Sequence, residues 1–473
     1  MRHANPPRLR PQVQFLRRQF AQDGALPFSD VLSEDLVAQA LTAACVSWVD
    51  RIFSPLVTLW VFLSQVLSAD HSCRAAVARL LAHRVARGQK PCSAQTGAYC
   101  QARARLPEPF YSGVACAAGR ALDAQADRGW LWKGRRVYLF DGTTVTLPDT
   151  PANQAAYPQV YNQKAGLGFP LARLGALISL CCGAIVHLGV CKYAGKGQGE
   201  VSLLRTLWDI LRPQDILVAD RLQANWTNIL LLRERGIEFV SRLNKANRTP
   251  DFRRGKRLGP QDHLVRWRKP TSIRSLDRQA YQALPESITI RETRIQVTQP
   301  GFRTTSIVVV TTLLDPQQAT KEDLAALYRA RWNAELDLRS IKSAMQMREL
   351  RCKTPELVRK EVWAHILAYN LIRTVMAQAA ARHDILPRSI SFTGAMQTLE
   401  AFQPILEFGT ARDAAGRLRL YQDLLDATAS HRVGDRPDRY EPRVKKRRRN
   451  HYGWLTKPRA EMKRKMAKGV NER

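Results

Sequence analysis

Acidic residues that are far apart in the chain follow patterns typical of metal sites. Asp141 comes directly after the apolar run RVYLF, and Asp220 comes directly after DILVA. Open α/β sheets bind ligands at the carboxyl ends of their strands, so we expect the two carboxylates to lie close together. Neighbouring carboxylates repel each other, and oxygen ligands favour a hard divalent cation such as Mg²⁺. Taken alone, each aspartate is more often a turn residue or a helix cap.

A third acid, Glu335, lies within YRARWNAELDLRSIK, on a helix predicted to begin after Thr320 and to run to about Lys342. At 100° per residue, four side chains fall within about 60° of one another, and Arg339 falls at the edge of that face. The four are Tyr328, Arg331, Glu335 and Lys342. Cations and a tyrosine hydroxyl suit DNA phosphates, while the glutamate faces a metal. A solvated helix with pairs such as Glu335–Arg339 explains the spacing equally well, so both interpretations stay open.

The chain carries a strong positive charge whose natural partner is a polyanion. Its 473 residues contain 74 lysines and arginines against 41 acids, a net charge of +33. Self-repulsion at such a charge opposes the compact state, so we expect nucleic acid as the partner, ahead of an anionic membrane. A third of this charge lies in residues 432–473. The densest run there gives five candidate phosphate contacts: Lys445, Lys446, Arg447, Arg448 and Arg449. A disordered, solvated tail is the alternative.

Cysteine usage and the uncharged stretches favour a cytosolic protein. The nine cysteines contain no CxxC pair, so reduced buried thiols are favoured over zinc ligands or a disulfide scaffold. Residues 52–69 and 174–190 are uncharged but shorter than the roughly 20 apolar residues of a membrane span. The first predicts a buried helix, and the second predicts two buried strands joined at Cys182-Gly183. The amino terminus lacks the apolar run of a signal peptide, so we expect a cytoplasmic protein without a membrane partner.

The elements that must position these residues are predicted to form an α/β protein with a mixed sheet flanked by helices. In the amino-terminal part, two short helices around the break at Gly88-Gln89-Lys90-Pro91 are either a helix-turn-helix or part of a plain bundle. Antiparallel strands are expected around Gln299-Pro300-Gly301. The predicted regions are a helical amino-terminal domain expected to bind DNA (1–128), the first part of the catalytic core (129–243), a β-rich insertion (244–315), the second part of the catalytic core with Glu335 (316–380), and a helical region with a basic tail expected to bind DNA (381–473).

The motifs around the three acids resemble those of the insertion sequence four family of transposases. Asp141 lies in DGTTVTLPDTPANQAAYP, Asp220 lies in LVADR, and residues 328–342 match the family's Y-(2)-R-(3)-E-(6)-K signature at all four positions. The family is one branch of the D-D-E recombinases, and the resemblance covers roughly residues 130–375. It implies a ribonuclease-H-like core with a β-rich insertion before Glu335. It also implies cut-and-paste transposition, in which element ends are cleaved and joined to target DNA.

The resemblance further implies roles for individual residues and partners. The three acids would hold two Mg²⁺ ions, with Mn²⁺ as a substitute, typically about 3.5–4 Å apart. Contacts to DNA near the cleaved end would come from Tyr328, Arg331 and Lys342. The expected partners are double-stranded DNA, as terminal inverted repeats and as target, and a second copy of the chain in a homodimer assembled on DNA. The setting would be the bacterial cytoplasm.

Some expectations stay open at this point. The family holds a flipped base on an aromatic side chain of the insertion, and Trp267, between Arg266 and Arg268, is one candidate. An ordinary buried or surface tryptophan is the more frequent case, and Trp332 is expected to be a packing residue. Two other functions fit the same residues: a ribonuclease-H-like DNA nuclease that does not join strands, and a non-catalytic DNA-binding derivative. Strand-transfer products and Mg²⁺-dependent cleavage would separate these functions.

Overall fold

A nine-stranded mixed sheet organises the part of the chain that the computed structural model describes, namely residues 6–22, 26–48, 51–246, 248–273, 278–297, 306–408, 413–434 and 453–467. Its strands are β1 (Val137–Thr146), β2 (Leu171–Ser179), β3 (Ile185–Lys192), β4 (Ile216–Ala219), β5 (Glu238–Arg242), β6 (Lys256–Gly259), β7 (Asp262–Arg268), β8 (Ser287–Gln296) and β9 (Ser306–Thr311). Their order across the sheet is β3-β2-β1-β4-β5-β9-β8-β7-β6.

The first five strands have the arrangement of a ribonuclease-H-like core. β1, β2 and β3 are antiparallel neighbours, whereas β4 and β5 run parallel to β1. Successive residues of β1 enter two different hydrophobic cores: Val137 and Leu139 face one, and Tyr138 and Phe140 face the other. Helices supply apolar residues to both cores. The predicted α/β class, a mixed sheet flanked by helices, is confirmed.

Helices make up most of the rest of the described chain. They are α1 (Pro6–Arg18), α2 (Glu34–Ala43), α3 (Pro55–Leu67), α4 (Cys73–Ala86), α5 (Gly97–Arg105), α6 (Glu108–Ala124), α7 (Pro151–Ala156), α8 (Glu200–Arg205), α9 (Trp226–Glu234), α10 (Arg278–Ala283), α11 (Lys321–Ala330), α12 (Trp332–Arg339), α13 (Pro355–Arg382), α14 (Phe392–Phe408), α15 (Ala414–Ser430) and α16 (Arg459–Ala467). Many begin as the sequence predicts: Thr320, for example, caps α11 in a full capping box with Asp323.

β1 is longer than its apolar run suggests. It pairs with β2 over its whole length, from Tyr138 opposite Ser179 to Thr146 opposite Leu171. With β4 it pairs only as far as Leu139 opposite Val218. Asp141 therefore lies inside a strand, and the expectation that it follows the strand is wrong. The polar residues after it stay extended because β2 satisfies their backbone hydrogen bonds.

The β-rich insertion extends the core sheet. β9 pairs antiparallel with β5, and β8, β7 and β6 follow outward in antiparallel order. The predicted antiparallel strands are therefore present as β8 and β9, while the expected turn at Gln299-Pro300-Gly301 lies outside the described residues. Because β9 is bonded to β5, the insertion is held to the same sheet that carries Asp141.

The amino-terminal helices form a bundle. The connection between α4 and α5 spans residues 87–96, which is longer than the 3–4-residue turn, roughly, of a helix-turn-helix. Near the end of α5, Arg103 is buried and donates a hydrogen bond to Gln65 of α3 at 3.0 Å. The bundle interpretation of this segment therefore holds. α3 itself is the buried helix expected within residues 52–69.

The remaining expectations from composition can be checked directly. All nine cysteines are free, but Cys45 is exposed and only Cys92, Cys116, Cys182 and Cys352 are fully buried. The two strands expected around Cys182-Gly183 are β2 and β3, with the turn between them at 180–184. Within the described residues, the helices are all too short or too polar to cross a bilayer.

Candidate active site

Asp141 and Asp220 lie just beyond the point where two neighbouring parallel strands stop pairing. The last pair of β1 and β4 is Leu139 opposite Val218; Asp141 lies two residues further along β1, and Asp220 is the first residue after β4. Neighbouring strands are about 4.8 Å apart where they pair, so the two acids start from adjacent places in the sheet. Residues two apart in a strand share a face of the sheet, and therefore Asp141 lies on the face of Leu139. The backbone at Asp220 is fixed by Ser241 of β5, whose Oγ donates to its carbonyl oxygen at 2.8 Å.

The same face of the sheet is covered by the helix that carries Glu335. Leu139 and Val218 belong to one hydrophobic core, which also contains Ala334 and Leu338 of α12. α12 packs directly against β1. The structure therefore brings Asp141, Asp220 and the helix of Glu335 to one side of the sheet.

The electrostatic surroundings of Asp141 identify its neighbours. Burial raises the pKa of Asp141 to about 6, and the carboxylates of Glu335 and Glu200 act in the same direction. The backbone N–H of Gly142 and the guanidinium of Arg331 act against this rise in the pKa. Asp141 is thus a largely buried carboxylate that has Arg331, Glu335 and Glu200 as charged neighbours.

The predicted cationic face is assembled around these acids. Arg331 donates from Nη2 to Oε1 of Glu335 at 2.8 Å, so Glu335 pairs with Arg331 rather than with Arg339. Burial raises the pKa of Tyr328; the guanidinium groups of Arg331 and Arg242 act against this rise, and the carboxylate of Asp220 adds to it, so Tyr328 is near all three charges. Arg339 is exposed.

Lys342 also faces the site. Its Nζ donates to Oγ1 of Thr143 on β1 at 3.0 Å. The helix does not run unbroken to this residue, because α11 ends at Ala330, α12 ends at Arg339, and Ser340–Ala344 forms a π-helical turn. The expectation of one continuous α-helix is therefore wrong. A wider turn at this point nevertheless leaves Lys342 on the side of β1, and such turns are frequent at functional sites.

The three acids form an open arrangement. In the part of the chain that the structure describes, Asp141, Asp220 and Glu335 do not bring three ligand atoms within 4.8 Å of one another. The set that does meet this distance is Asp123, Cys181 and Cys182. Its carboxylate is already bonded to Arg136 at 3.0 Å and to Tyr138 at 2.8 Å, so a cation is in place there.

The aromatic candidates and the tail have different outcomes. Trp267 is buried, and its Nε1 donates to Glu292 at 2.7 Å, so it is an ordinary core tryptophan and not a free stacking surface. Trp332 is 49% exposed, so its expected packing role is wrong. It lies on the outer face of α12, away from Ala334 and Leu338. The tail candidates Lys445, Lys446, Arg447, Arg448 and Arg449 lie outside the described residues.

Sequence reasoning missed three residues near the site. Thr143 could have been found, because it shares the face of Asp141 two residues along the same strand. Glu200 lies on the other face of β1, where its side chain would be 2.7 Å from a Cβ placed on Gly142. Asp337 is buried on α12. Glu200 and Asp337 could not have been found from the sequence, because acids on the surface of ordinary helices occur in the same sequence context.

Comparison with known proteins decides the family. The family model described as transposase DDE domain matches residues 132–371. The chain belongs to the DDE-domain transposase family. It is also 26% identical over 342 residues to the transposase InsG for insertion sequence element IS4 of Escherichia coli K12, which covers 67% of this chain and 69% of that protein. The resemblance to the insertion sequence four family is therefore confirmed, and the chain is an insertion-sequence DNA transposase.

Two further similarities are shorter or weaker. The putative transposase InsL for insertion sequence element IS186A of Escherichia coli K12 is 34% identical over 82 residues, 17% of this chain and 21% of that protein. A solved structure of the piggyBac transposase synaptic complex with hairpin DNA covers 90% of this chain and 87% of its own, at 8% identity and a TM-score of 0.44. That score is below the level that indicates a common fold. As a transposase, this protein is a DNA-cleaving and strand-transferring enzyme of a family that generally uses divalent metal.

Proposed function

We propose that Asp141, Asp220 and Glu335 are the catalytic carboxylates of this transposase and that they bind Mg²⁺ during cleavage and joining of element ends. The observation that supports the proposal is that the pairing of β1 and β4 ends two residues before Asp141 and Asp220, on the side of the sheet where α12 packs against β1. Residues from three distant parts of the chain thereby share one surface. Arg331 balances the charge of Glu335, and a bound cation would balance that of the two aspartates.

The donor chemistry of the site supports a pair of hard cations. Three carboxylates offer only oxygen ligands, as Mg²⁺ prefers, and a bound cation would favour the ionised form of Asp141, whose pKa is raised mainly by burial. The open arrangement also suits two ions, since ligands spread over ions about 3.5–4 Å apart need not all approach one point. Bound Mg²⁺ would supply Lewis-acid chemistry, which polarises the phosphodiester and favours an ionised nucleophile.

The side chains around the acids suit a DNA phosphate. Lys342 and Arg331 present cations on the face of Glu335, and Tyr328 adds a hydroxyl near Arg331 and Asp220. Charge-assisted hydrogen bonds from these groups would hold the phosphates on either side of the cleaved bond and orient the strand. Arg331 would also hold Glu335 in place until DNA arrives, because the two side chains are already bonded. Arg339 and the basic tail would add contacts farther away.

Two ends of one element must be cut together, so we propose a homodimer assembled on DNA. Joining as well as cutting is part of the proposal, since a 3′-hydroxyl released by cleavage is itself a nucleophile. A purified reaction with end DNA, target plasmid and Mg²⁺ tests this step. We expect joined products; cleavage without joined products would mean that this copy has lost strand transfer, and the absence of both would mean that this copy is inactive. We also propose that the protein acts in the bacterial cytoplasm, since that is where the chromosomal DNA it would cut and join is located.

The role of the acids is tested by isosteric substitution. Asp141→Asn, Asp220→Asn and Glu335→Gln should each lower the cleavage rate at least about a thousandfold, since a lost metal ligand removes several kcal/mol of transition-state stabilisation. Binding to end DNA, measured by a mobility shift without metal, should stay close to wild type or become tighter, because each change removes a negative charge that faces the phosphates.

Glu200→Gln is the matched control for these variants. Glu200 is a carboxylate close to Asp141, but it lies behind β1 against Gly142 and is bonded to Arg173 at 2.8 Å. It should retain cleavage within a few-fold of wild type. Near-normal cleavage by any of the three acid variants would show that the residue concerned is not a ligand.

A further inference from the structure

A buried carboxylate lies on the side of α12 opposite Glu335. Asp337 follows Glu335 by two residues, which turns its side chain by about 200° around the helix. It is 1% exposed. One oxygen accepts a hydrogen bond from Nη2 of Arg373, and the other accepts one from Nη1 of Arg388 at 3.0 Å. Both arginines are themselves largely buried, so the three side chains form a buried ion triad, here called the Asp337 triad.

Arg388 connects this triad to the strand that neighbours Asp141. It comes from a single 3₁₀ turn, Pro387–Ser389. Besides Asp337, its guanidinium donates to the carbonyl oxygen of Ser179, the last residue of β2, at 2.8 Å, and to that of Leu180. β2 pairs along its length with β1, where Ala176 lies opposite Asp141. One guanidinium therefore spans from the helix of Glu335 to the partner strand of Asp141.

Arg373 fixes the other side of the same connection. It lies on α13, and its Nε donates to Oη of Tyr369 at 2.8 Å. That hydroxyl donates to the carbonyl oxygen of Gly183, in the turn between β2 and β3, at 3.0 Å. Gly183 has a φ of +79°, and a Cβ there would lie 2.8 Å from the Arg373 guanidinium, so the turn fits closely around the arginine. The triad thus bonds α12 to the β2–β3 turn along two routes.

α12 has few other directional bonds to the rest of the protein. Among its side chains, all of which are described, Asn333 donates to the carbonyl of Ala330, and Glu335 pairs with Arg331, so both bonds are local. The helix has only 8 residues and no side-chain cap at its start. Ala334 and Leu338 pack into the core, but apolar contacts resist rotation less than directional hydrogen bonds do. Within the described residues, the hydrogen bonds that join an α12 side chain to another element are those of Asp337.

We infer that Asp337, Arg373 and Arg388 are positioning residues that set the rotation of α12 and thereby the separation of Glu335 from Asp141. The inference rests on the proposed role of those two acids as metal ligands. The Asp337 triad would then position a catalytic element rather than stabilise the fold.

Replacement of such a triad by apolar residues of similar size often leaves a protein as stable as before, or more so. The triad is therefore separable from the fold in an experiment.

The decisive variant is the triple substitution Asp337→Leu, Arg373→Met and Arg388→Met. It removes all three charges together, so no buried charge is left unpaired, and the thermal midpoint should stay near that of wild type. Metal binding at the three acids is measured with Tb³⁺, a hard cation whose luminescence is excited by energy transfer from a nearby tryptophan. Trp332, three residues before Glu335, is that tryptophan. We expect the Tb³⁺ concentration at half-maximal luminescence to rise about tenfold, the lower end of what outer supports of metal ligands contribute. A matching rise is expected in the Mg²⁺ needed for half-maximal cleavage.

Arg388→Lys is the second variant, and it keeps the charge while it loses the planar fork that bonds two carbonyls and a carboxylate. It should raise the Tb³⁺ half-saturation in the same direction. The matched control is Asp262→Asn together with Arg291→Met. These two residues also form a buried ion pair, in which Nε of Arg291 donates to Oδ1 of Asp262 at 2.9 Å, but the pair lies in the insertion. The control should lose thermal stability at least as much as the triple variant while its Tb³⁺ titration stays unchanged.

The outcomes separate this inference from the proposed function. If Asp141→Asn weakens Tb³⁺ binding but the triple variant and Arg388→Lys bind Tb³⁺ as wild type does, the positioning role is wrong and the metal site stands. If Asp141→Asn also leaves the titration unchanged, the metal site itself is wrong. Equal weakening in the control and in the triple variant would mean that general loosening, rather than the Asp337 triad, governs the site.

Discussion

At the scale of residues, the clearest imbalance of charge lies at Lys342. Its half-buried ammonium bonds to the neutral hydroxyl of Thr143, and within the described residues no carboxylate lies within 4.0 Å of it. Burial lowers the pKa of Lys342, and the nearby charge of Arg348 lowers it further. A partly buried cation without an anion is costly to the fold. A DNA phosphate would complete this site, which is why the position suits binding better than structure.

Lys342→Met should therefore weaken DNA binding without destabilising the protein. Methionine keeps much of the length of the side chain but removes the charge. We expect the dissociation constant for end DNA to rise about tenfold, as for the loss of one charge-assisted hydrogen bond of about 1.5 kcal/mol. The thermal midpoint should stay the same or rise, because an unpaired charge no longer has to be buried.

Arg329→Met is the control for Lys342→Met, since Arg329 is an exposed cation on the neighbouring helix α11. It removes the same charge and should change the dissociation constant by less than about twofold. Fluorescence anisotropy at fixed salt measures both variants. A lower thermal midpoint for Lys342→Met with unchanged affinity would show that the lysine supports the fold instead.

At the scale of elements, α13 bonds the separate parts of the molecule to one another. Its residues from Val358 to Ala380 are largely buried, and many of them are polar. Lys360 donates to the carbonyl of Ala104 in α5, and Gln378 donates to the carbonyls of Ala21 and Pro27. These bonds satisfy backbone groups at places where regular structure ends. α13 therefore ties the amino-terminal bundle to the core that carries the acids.

Asn370 shows how closely this helix and its neighbours approach. Its amide donates to the carbonyl of Ala115 in α6 and to that of Ile185 in β3, while its oxygen accepts from the N–H of Ile185. Gly119 of α6 lies at the same junction. A Cβ at Gly119 would be 2.1 Å from the carbonyl oxygen of Ile185 and 2.7 Å from the Asn370 amide nitrogen. The contact between α6, β3 and α13 therefore requires glycine.

Gly119→Ala should destabilise the protein by at least about 3 kcal/mol, the upper part of the range for overpacking, because a backbone atom cannot move aside. Gly113→Ala in the same helix is the matched control. Its Cβ would lie 3.6 Å from the Cβ of Ala40, which is an ordinary contact. It should stabilise by up to about 1 kcal/mol through helix propensity. Denaturant unfolding of both variants measures the free energies; equal effects would show that the close approach at Gly119 does not exist.

The elements were predictable where their signals are local. Apolar runs and caps located most strands and helices of the core, and the Thr320 cap fixed the start of α11. The continuation of β1 past Asp141 was not predictable, because it depends on pairing with β2, from Gly142 opposite Gly175 to Thr146 opposite Leu171. The π-helical turn at Ser340–Ala344 was equally invisible, since its residues have ordinary helical propensities. Burial of polar residues along α13 also depends on distant backbone partners.

At the scale of the whole molecule, the sequence indicated the proposed ligands better than the residues that support them. Asp141, Asp220 and Glu335 carry motif spacing, and the first two follow the last residue pair of β1 and β4. Asp337 was missed, because its proposed role depends on two arginines, at 373 and 388, that contact it from other elements. Net charge, by contrast, is visible in composition alone. Its effect on DNA binding is a property of the entire chain.

The basic tail offers a quantitative test of that effect. Replacement of Lys445, Lys446, Arg447, Arg448 and Arg449 by glutamine should lower the salt dependence of DNA binding. Each lost phosphate contact reduces the slope of log K against log salt by about 0.9, so five contacts correspond to a change of about 4.5. The measurement is a set of dissociation constants for end DNA between 50 and 200 mM salt, roughly the range over which counterion release is steep.

The control must remove the same charge from cations that already have partners. Five arginines and lysines that pair with carboxylates in the structure serve this purpose: Arg10, Lys133, Arg235, Arg253 and Arg382. Their replacement by glutamine lowers the net charge equally, but the slope should change by less than about one, since compensated cations neutralise no phosphates. Equal loss of slope in both variants would mean that net charge alone attracts DNA. An unchanged slope in the tail variant would mean that these five cations do not touch the phosphates, and that the steep salt dependence must arise from the folded surface around Lys342 and Arg331.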